Sequence, residues 1–128
     1  MDSKYFVPLE TAKLLKEKGY PQEFADWYYH ESADKLAFVH NRYVPERVVT
    51  GKPTELGIWY IAAPTYHEVV DWLEEKGIWV SVTNRPWGTW FASVEERDKP
   101  QEKGYDTDDY STREEALQAA ILKALEML

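Results

Sequence analysis

The amino-acid sequence predicts an α+β fold: a small, mainly antiparallel sheet with three helices packed against it, including an α-β-β-α C-terminal unit. Three observations carry that expectation. Three stretches set apolar residues at helical spacing between recognisable caps. Residues 78–83 and 89–95 alternate strictly around the turn sequence NRPWG, which is the pattern of a hairpin. A length of 128 residues is that of a single domain, 1–128, able to bury about two-thirds of the surface its unfolded chain exposes.

The first helix is expected from Pro8 to Lys18, with proline at its start, Val7, Thr11, Leu14 and Leu15 along one side, and Gly19 as the stop. Aromatic and β-branched residues then fill 24–29 and 36–43 with the polar HESADK between them, which predicts two strands joined by a turn. The first of these, as a free edge, would be open to a second copy. VPERVVTGKPTE, residues 44–55, reads as a loop with a short extended piece at 47–50.

A strand near 56–61 leads into a helix over 64–76. There Tyr66, Val69, Val70 and Leu73 follow the i, i+3, i+4, i+7 rule, Thr65 and Glu68 have capping-box spacing, and Gly77 is the stop. In the hairpin that follows, Ile78, Val80 and Val82 point one way, and Trp79, Ser81 and Thr83 the other. Acidic residues 95–110 are expected to form a mobile loop. Ser111 and Glu114 then cap a last helix, 112–127, with the stripe Leu117, Ala120, Ile121, Ala124, Leu125 and Leu128. ETAKLLKEKGY (10–20) and EVVDWLEEKGI (68–78) agree at five of eleven positions. Shared C-cap chemistry explains that echo without duplication.

Composition excludes several function classes. There is no cysteine, hence no disulfide, thiolate nucleophile, iron–sulfur cluster or cysteine-based zinc site. With 15 Lys+Arg against 23 Asp+Glu the formal charge is −8, so a nucleic-acid duplex is repelled unless the bases gather on one face, which they do not. Residues 93–115 hold nine acids against four bases and so carry most of the imbalance. The N-terminal sequence has no basic segment followed by an apolar run, and no apolar stretch of about eighteen residues occurs. A cytoplasmic protein with no membrane partner is expected.

The sharpest metal signal is His67-Glu68-Val69-Val70-Asp71, repeated as His30-Glu31-Ser32-Ala33-Asp34, one residue type from the zincin helix. On a helix His67 and Asp71 share a face and could bind zinc. The apolar stripe, however, puts them with Glu75 on the solvated side, and His30 falls in the predicted turn; a catalytic zinc needs a third ligand and a dry cleft. Asp106-Thr107-Asp108-Asp109 suggests calcium, but Ser111 and Leu117 stand where an EF-hand loop needs glycine and glutamate. Acids leading into a helix are the plainer account. No nucleophile elbow, Walker loop or dinucleotide glycine pattern is present, and nothing singles out one carboxylate pair as acid and base. The expectation is a protein that is not an enzyme, with no catalytic residue, no metal and no cofactor.

The most suggestive surface feature is the hairpin tip, Asn84-Arg85-Pro86-Trp87-Gly88. Arginine and tryptophan there could stack a base, a sugar or a partner's side chain; the plainer alternative folds Trp87 back over its own hairpin. Arg85, Trp87, Trp90, Asp106, Asp108 and Asp109 are the candidate binding residues, for a protein partner of unknown identity. Helix 64–76 is not expected to read DNA, because His67, Glu68, Asp71, Glu74 and Glu75 occupy its outward face and repel phosphate. It covers the sheet instead.

Three stretches, LETAKLLKEKGY, AAPTYHEVVDWLEEKGIWVSV and YSTREEALQAAILKALEML, together resemble a group of small uncharacterised proteins of phages and other mobile elements of gut Bacteroidetes. The shared motifs are A-P-T-x6-W-L-x-x-K and Y-x-T-x-x-E-A, over about half of the chain. Where that group often has a more basic segment after the tryptophan, this chain has Glu74-Glu75-Lys76-Gly77. The resemblance implies provenance and a compact fold, with no activity and no catalytic residue. The expected function is an accessory or protein-interaction module of a mobile element, working through aromatic and acidic surface. The alternative is an acidic mimic of nucleic acid that inhibits a DNA-binding protein, the 95–115 carboxylates standing in for phosphates.

Overall fold

The structure is a computed structural model that describes residues 5–22, 25–32, 35–40, 59–98 and 104–128. Among these residues three helices and six strands follow one another as α1 (Leu9–Glu17), β1 (Trp27–Ser32), β2 (Lys35–His40), β3 (Trp59–Ala62), α2 (Tyr66–Glu75), β4 (Ile78–Asn84), β5 (Trp90–Glu96), β6 (Tyr105–Asp106) and α3 (Arg113–Glu126). The class is α+β, with all strand pairs antiparallel. The strands divide between two three-stranded sheets, β2-β1-β3 and β4-β5-β6, where the sequence pattern placed them in one. The chain falls into two compact units, Phe6–Pro64 and Thr65–Leu128 with Met1–Tyr5. No helix among the described residues is long and apolar enough to cross a membrane.

In the first unit Pro8 is the N-cap of α1, which ends in a Schellman motif, with Gly19 N–H bonding Lys16 C=O and Tyr20 N–H bonding Leu15 C=O. Its buried side is Thr11, Ala12 and Leu15; Leu14, expected on that side, is 37% exposed. β1 pairs with β2 down to Ser32↔Lys35. His30, Glu31 and Ser32 therefore belong to a strand and not to the expected turn. β1 also pairs with β3, Tyr28 opposite Ala62, so it is the central strand and not the free edge expected of 24–29. The expected extended piece at 47–50 lies outside the described residues. Tyr28 is buried, and its hydroxyl donates to Gln22 C=O at 2.7 Å. Tyr29 donates to Val7 C=O at 2.7 Å, and burial pushes its phenol up from the usual range.

The second unit is built on α2, the β4–β5 hairpin and α3. Thr65 and Glu68 form the expected capping box. Tyr66, Val69, Trp72 and Leu73 are the buried side of α2, which packs on β4 and α3; Val70, expected in that stripe, is only half-buried. The cap of α3 differs from expectation. Thr112 accepts from Glu115 N–H at 3.2 Å, one residue beyond Ser111. That choice sets Ala116, Ala120, Ile121, Ala124 and Leu125 inward, while Leu117 is half-buried and Leu128 is 40% exposed. The small residues 116, 120 and 124 form an i, i+4 row, which lets α3 lie close on β4 and β5 over Ala92 and Val94.

The acidic stretch is the main correction. Instead of a mobile loop, its described part returns to the sheet: Tyr105 and Asp106 pair with Val94 and Ser93, and Tyr110 bridges Trp90 through two backbone bonds of 2.7 and 2.8 Å. Between them buried Thr107 completes the ladder, its Oγ1 accepting Ala92 N–H at 2.9 Å and its own N–H donating to Ala92 C=O.

Candidate functional site

The hairpin tip is held by its own turn chemistry. Gly88 N–H bonds Arg85 C=O, Arg85 N–H bonds Thr89 C=O at 2.7 Å, and Gly88 sits at φ +98°. This is a three-residue loop with proline at its first position and a left-handed glycine at its last. Trp87 is 69% exposed and does not fold back over the hairpin. The Arg85 guanidinium carbon instead lies 5.4 Å from the Trp87 ring centre and 4.1 Å from that of Phe91. One cation thus contacts two aromatic faces.

Asp109 fixes that cation. Arg85 Nε donates to its Oδ1 and Thr89 Oγ1 to its Oδ2, both at 2.8 Å. The Arg85 and Thr89 hydrogen bonds, with the guanidinium charge and the Trp87 indole adding to them, hold the Asp109 carboxyl below the usual carboxylate range. Arg85, Trp87 and Asp109 of the expected set therefore converge, and Phe91 and Thr89 join them although no sequence signal singled them out.

The other three expected residues are placed differently. Asp106 accepts from Ser93 Oγ at 2.7 Å on the face away from the helices. Asp108 is exposed. Trp90 is half-buried and pairs with Asn84, so its side chain is on the sheet face opposite to that of Phe91. Asp106 and Asp109 thus each accept side-chain hydrogen bonds from within the unit, while all three carboxylates lie on its surface.

The face turned from the helices carries the cross-strand pairs Trp79↔Glu95, Ser81↔Ser93 and Thr83↔Phe91. Trp79 is 46% exposed. Trp79 and Glu95 stand at one end of this surface, Ser81, Ser93 and Asp106 at its middle, and Thr83 and Phe91 beside the Arg85–Trp87 tip.

On the helix side of β4 lies a pocket of about 410 Å³. Val80 and Val82 form its floor, Tyr66, Val70 and Leu117 its apolar walls, and Thr65, His67, Arg113, Glu114 and Tyr5 the remainder. A volume in the range of ligand sites, mostly apolar with a few polar groups, is what a recognition pocket requires. Sequence reasoning missed it because, apart from buried Tyr66, its apolar lining is made of half-buried residues from three separate elements.

His67 and Asp71 are exposed and lie 3.5 Å apart, an i, i+4 pair on the solvated side of α2. Among the described residues no group of three His, Asp or Glu side chains is placed to hold a metal. His67, Glu68, Asp71, Glu74 and Glu75 are all exposed, as the reading of α2 as a cover for the sheet expects. No family model, curated protein or solved structure matches the chain.

Proposed function

We propose that the protein is a non-enzymatic interaction module, an accessory protein of a mobile element as its motifs imply, that binds a basic protein partner through the uncovered face of the β4–β5–β6 sheet. The observation that carries this reading is the hairpin tip. An exposed tryptophan held in one place by a buttressed arginine has already lost the rotamer freedom that binding would otherwise cost. Glu95, Asp106 and Asp108 give the surrounding rim a negative charge, which suits a basic partner.

Capture from lysate of the native host tests the reading when run with variants and at two salt concentrations. The expected partner is basic, is released in part by raised salt, and binds Trp87→Ala about tenfold or more weakly, the loss typical of an interface anchor. A partner retained equally by Trp87→Ala and Trp79→Ala would overturn the assignment of this face. Displacement of the partner by duplex DNA, with both tryptophan variants still binding, would assign the nucleic-acid mimic instead.

A further inference from the structure

The outer strand of the second sheet carries more than its aromatic face. β4 is the terminal strand in the order β4-β5-β6, and no described strand pairs with its far side. The bonds from Arg85 N–H to Thr89 C=O and from Arg97 N–H to Gly77 C=O fix the phase of the ladder. Trp79, Ser81 and Thr83 direct their backbone groups at β5, while Ile78, Val80, Val82 and Asn84 direct theirs at the open edge.

Edge strands are ordinarily shortened, bulged, or guarded by lysine or proline. Ile78-Trp79-Val80-Ser81-Val82-Thr83-Asn84 has no charged residue and no proline over seven positions. Only Ile78 is buried. The pocket floor is Val80 and Val82 of the same strand, so the unpaired backbone and the apolar cavity lie side by side.

Resting on the interaction-module reading, we infer that β4 receives an extended segment of a basic protein as an additional strand, with two apolar side chains in the pocket over Val80 and Val82. The spacing fits: positions i and i+2 of an added strand point to one face, roughly 7 Å apart, as Val80 and Val82 do. The intervening residues then emerge on the other face beside Trp79, whose cross-strand neighbour is Glu95. Lysine or arginine there meets an exposed indole and a carboxylate together. The same charge argument disfavours a second copy as the occupant, since each chain carries −8.

The probe is an acetylated, amidated seven-residue peptide alternating valine and lysine, and the readout is residue-resolved amide exchange. Binding is expected to slow exchange at Val80 and Val82 about tenfold or more, leaving the already bonded amides of Trp79, Ser81 and Thr83 unchanged. A peptide alternating valine and glutamate is expected to leave exchange at Val80 and Val82 unslowed. Val82→Pro removes an outward donor at a position an edge strand tolerates and is expected to weaken binding about tenfold; the exchange pattern itself needs no variant.

Unchanged Val80 and Val82 amides at millimolar peptide would overturn the inference. Resonance shifts confined to Trp79, Phe91 and Trp87 would overturn it too, while leaving the outer-face reading in place. Edge protection that rises with protein concentration in the absence of peptide would make a second copy the occupant and overturn the one chosen here.

Discussion

At Ala92 the ladder between β5 and the returning acidic segment is completed by a side chain, Thr107 Oγ1, which accepts a buried backbone N–H at 2.9 Å. Valine at 107 has the same outline but leaves that donor without an acceptor. Thr107→Val is therefore expected to lower stability by about 1–3 kcal/mol, and Thr107→Ser by clearly less, in urea unfolding. Equal losses would mean that the methyl group matters and the hydroxyl does not. Asp109 makes a prediction in pH. Its carboxyl is depressed below the ordinary 3.8 by Arg85 and Thr89, so its contribution is complete above that value and fades as pH falls through the lower folded one. Tip order, followed by the Arg85 Nε–H resonance, is expected to persist through pH 3.8 and fail below it; Asp109→Asn should remove that acid limb. Neither residue was legible as a tip or ladder group. The sequence marks 106–109 as acidic and close to a helix start, and the partners Ala92, Arg85 and Thr89 lie some 15 to 24 positions away.

Among the elements, those governed by neighbours in sequence were the readable ones. Thr65 and Glu68 cap α2 across three positions, Gly19 and Gly77 end their helices at φ +93° and +86°, and alternation gave β4 and β5 their inner and outer faces. β6 was not readable, because two residues, Tyr105 and Asp106, are too few for any period. At α3 two equivalent boxes compete, Ser111 with Glu114 and Thr112 with Glu115. Local chemistry does not separate them; in the structure the Thr112 cap goes with a helix whose alanine row faces the sheet. That row carries a prediction. Ala120 is fully buried where α3 approaches the sheet, so Ala120→Leu is expected to cost about 1–3 kcal/mol by overpacking. Leu122→Ala, at a site 38% exposed, should stay within about 0.5 kcal/mol. If urea midpoints show the two variants alike, close approach does not hold α3 in place.

For the whole molecule the dominant quantity is charge. The chain is at −8 near neutrality and reaches zero near pH 4.9, so mutual repulsion, which opposes association of copies above that value, vanishes there. An uncharged, seven-residue edge strand then has nothing to keep a second β4 away. Light scattering across pH is expected to rise sharply near 4.9. Thr83→Lys places a cation on the exposed outer face of that strand without touching its bonds to β5, and it should suppress the rise far more than the same charge placed at Leu122 on α3. Both variants move the isoelectric point equally, so any difference between them reports position and not net charge. Equal suppression would show that association is colloidal and spread over the surface. Selective suppression would identify β4 as the adhesive edge, the same one that at neutral pH is left to a partner of opposite charge.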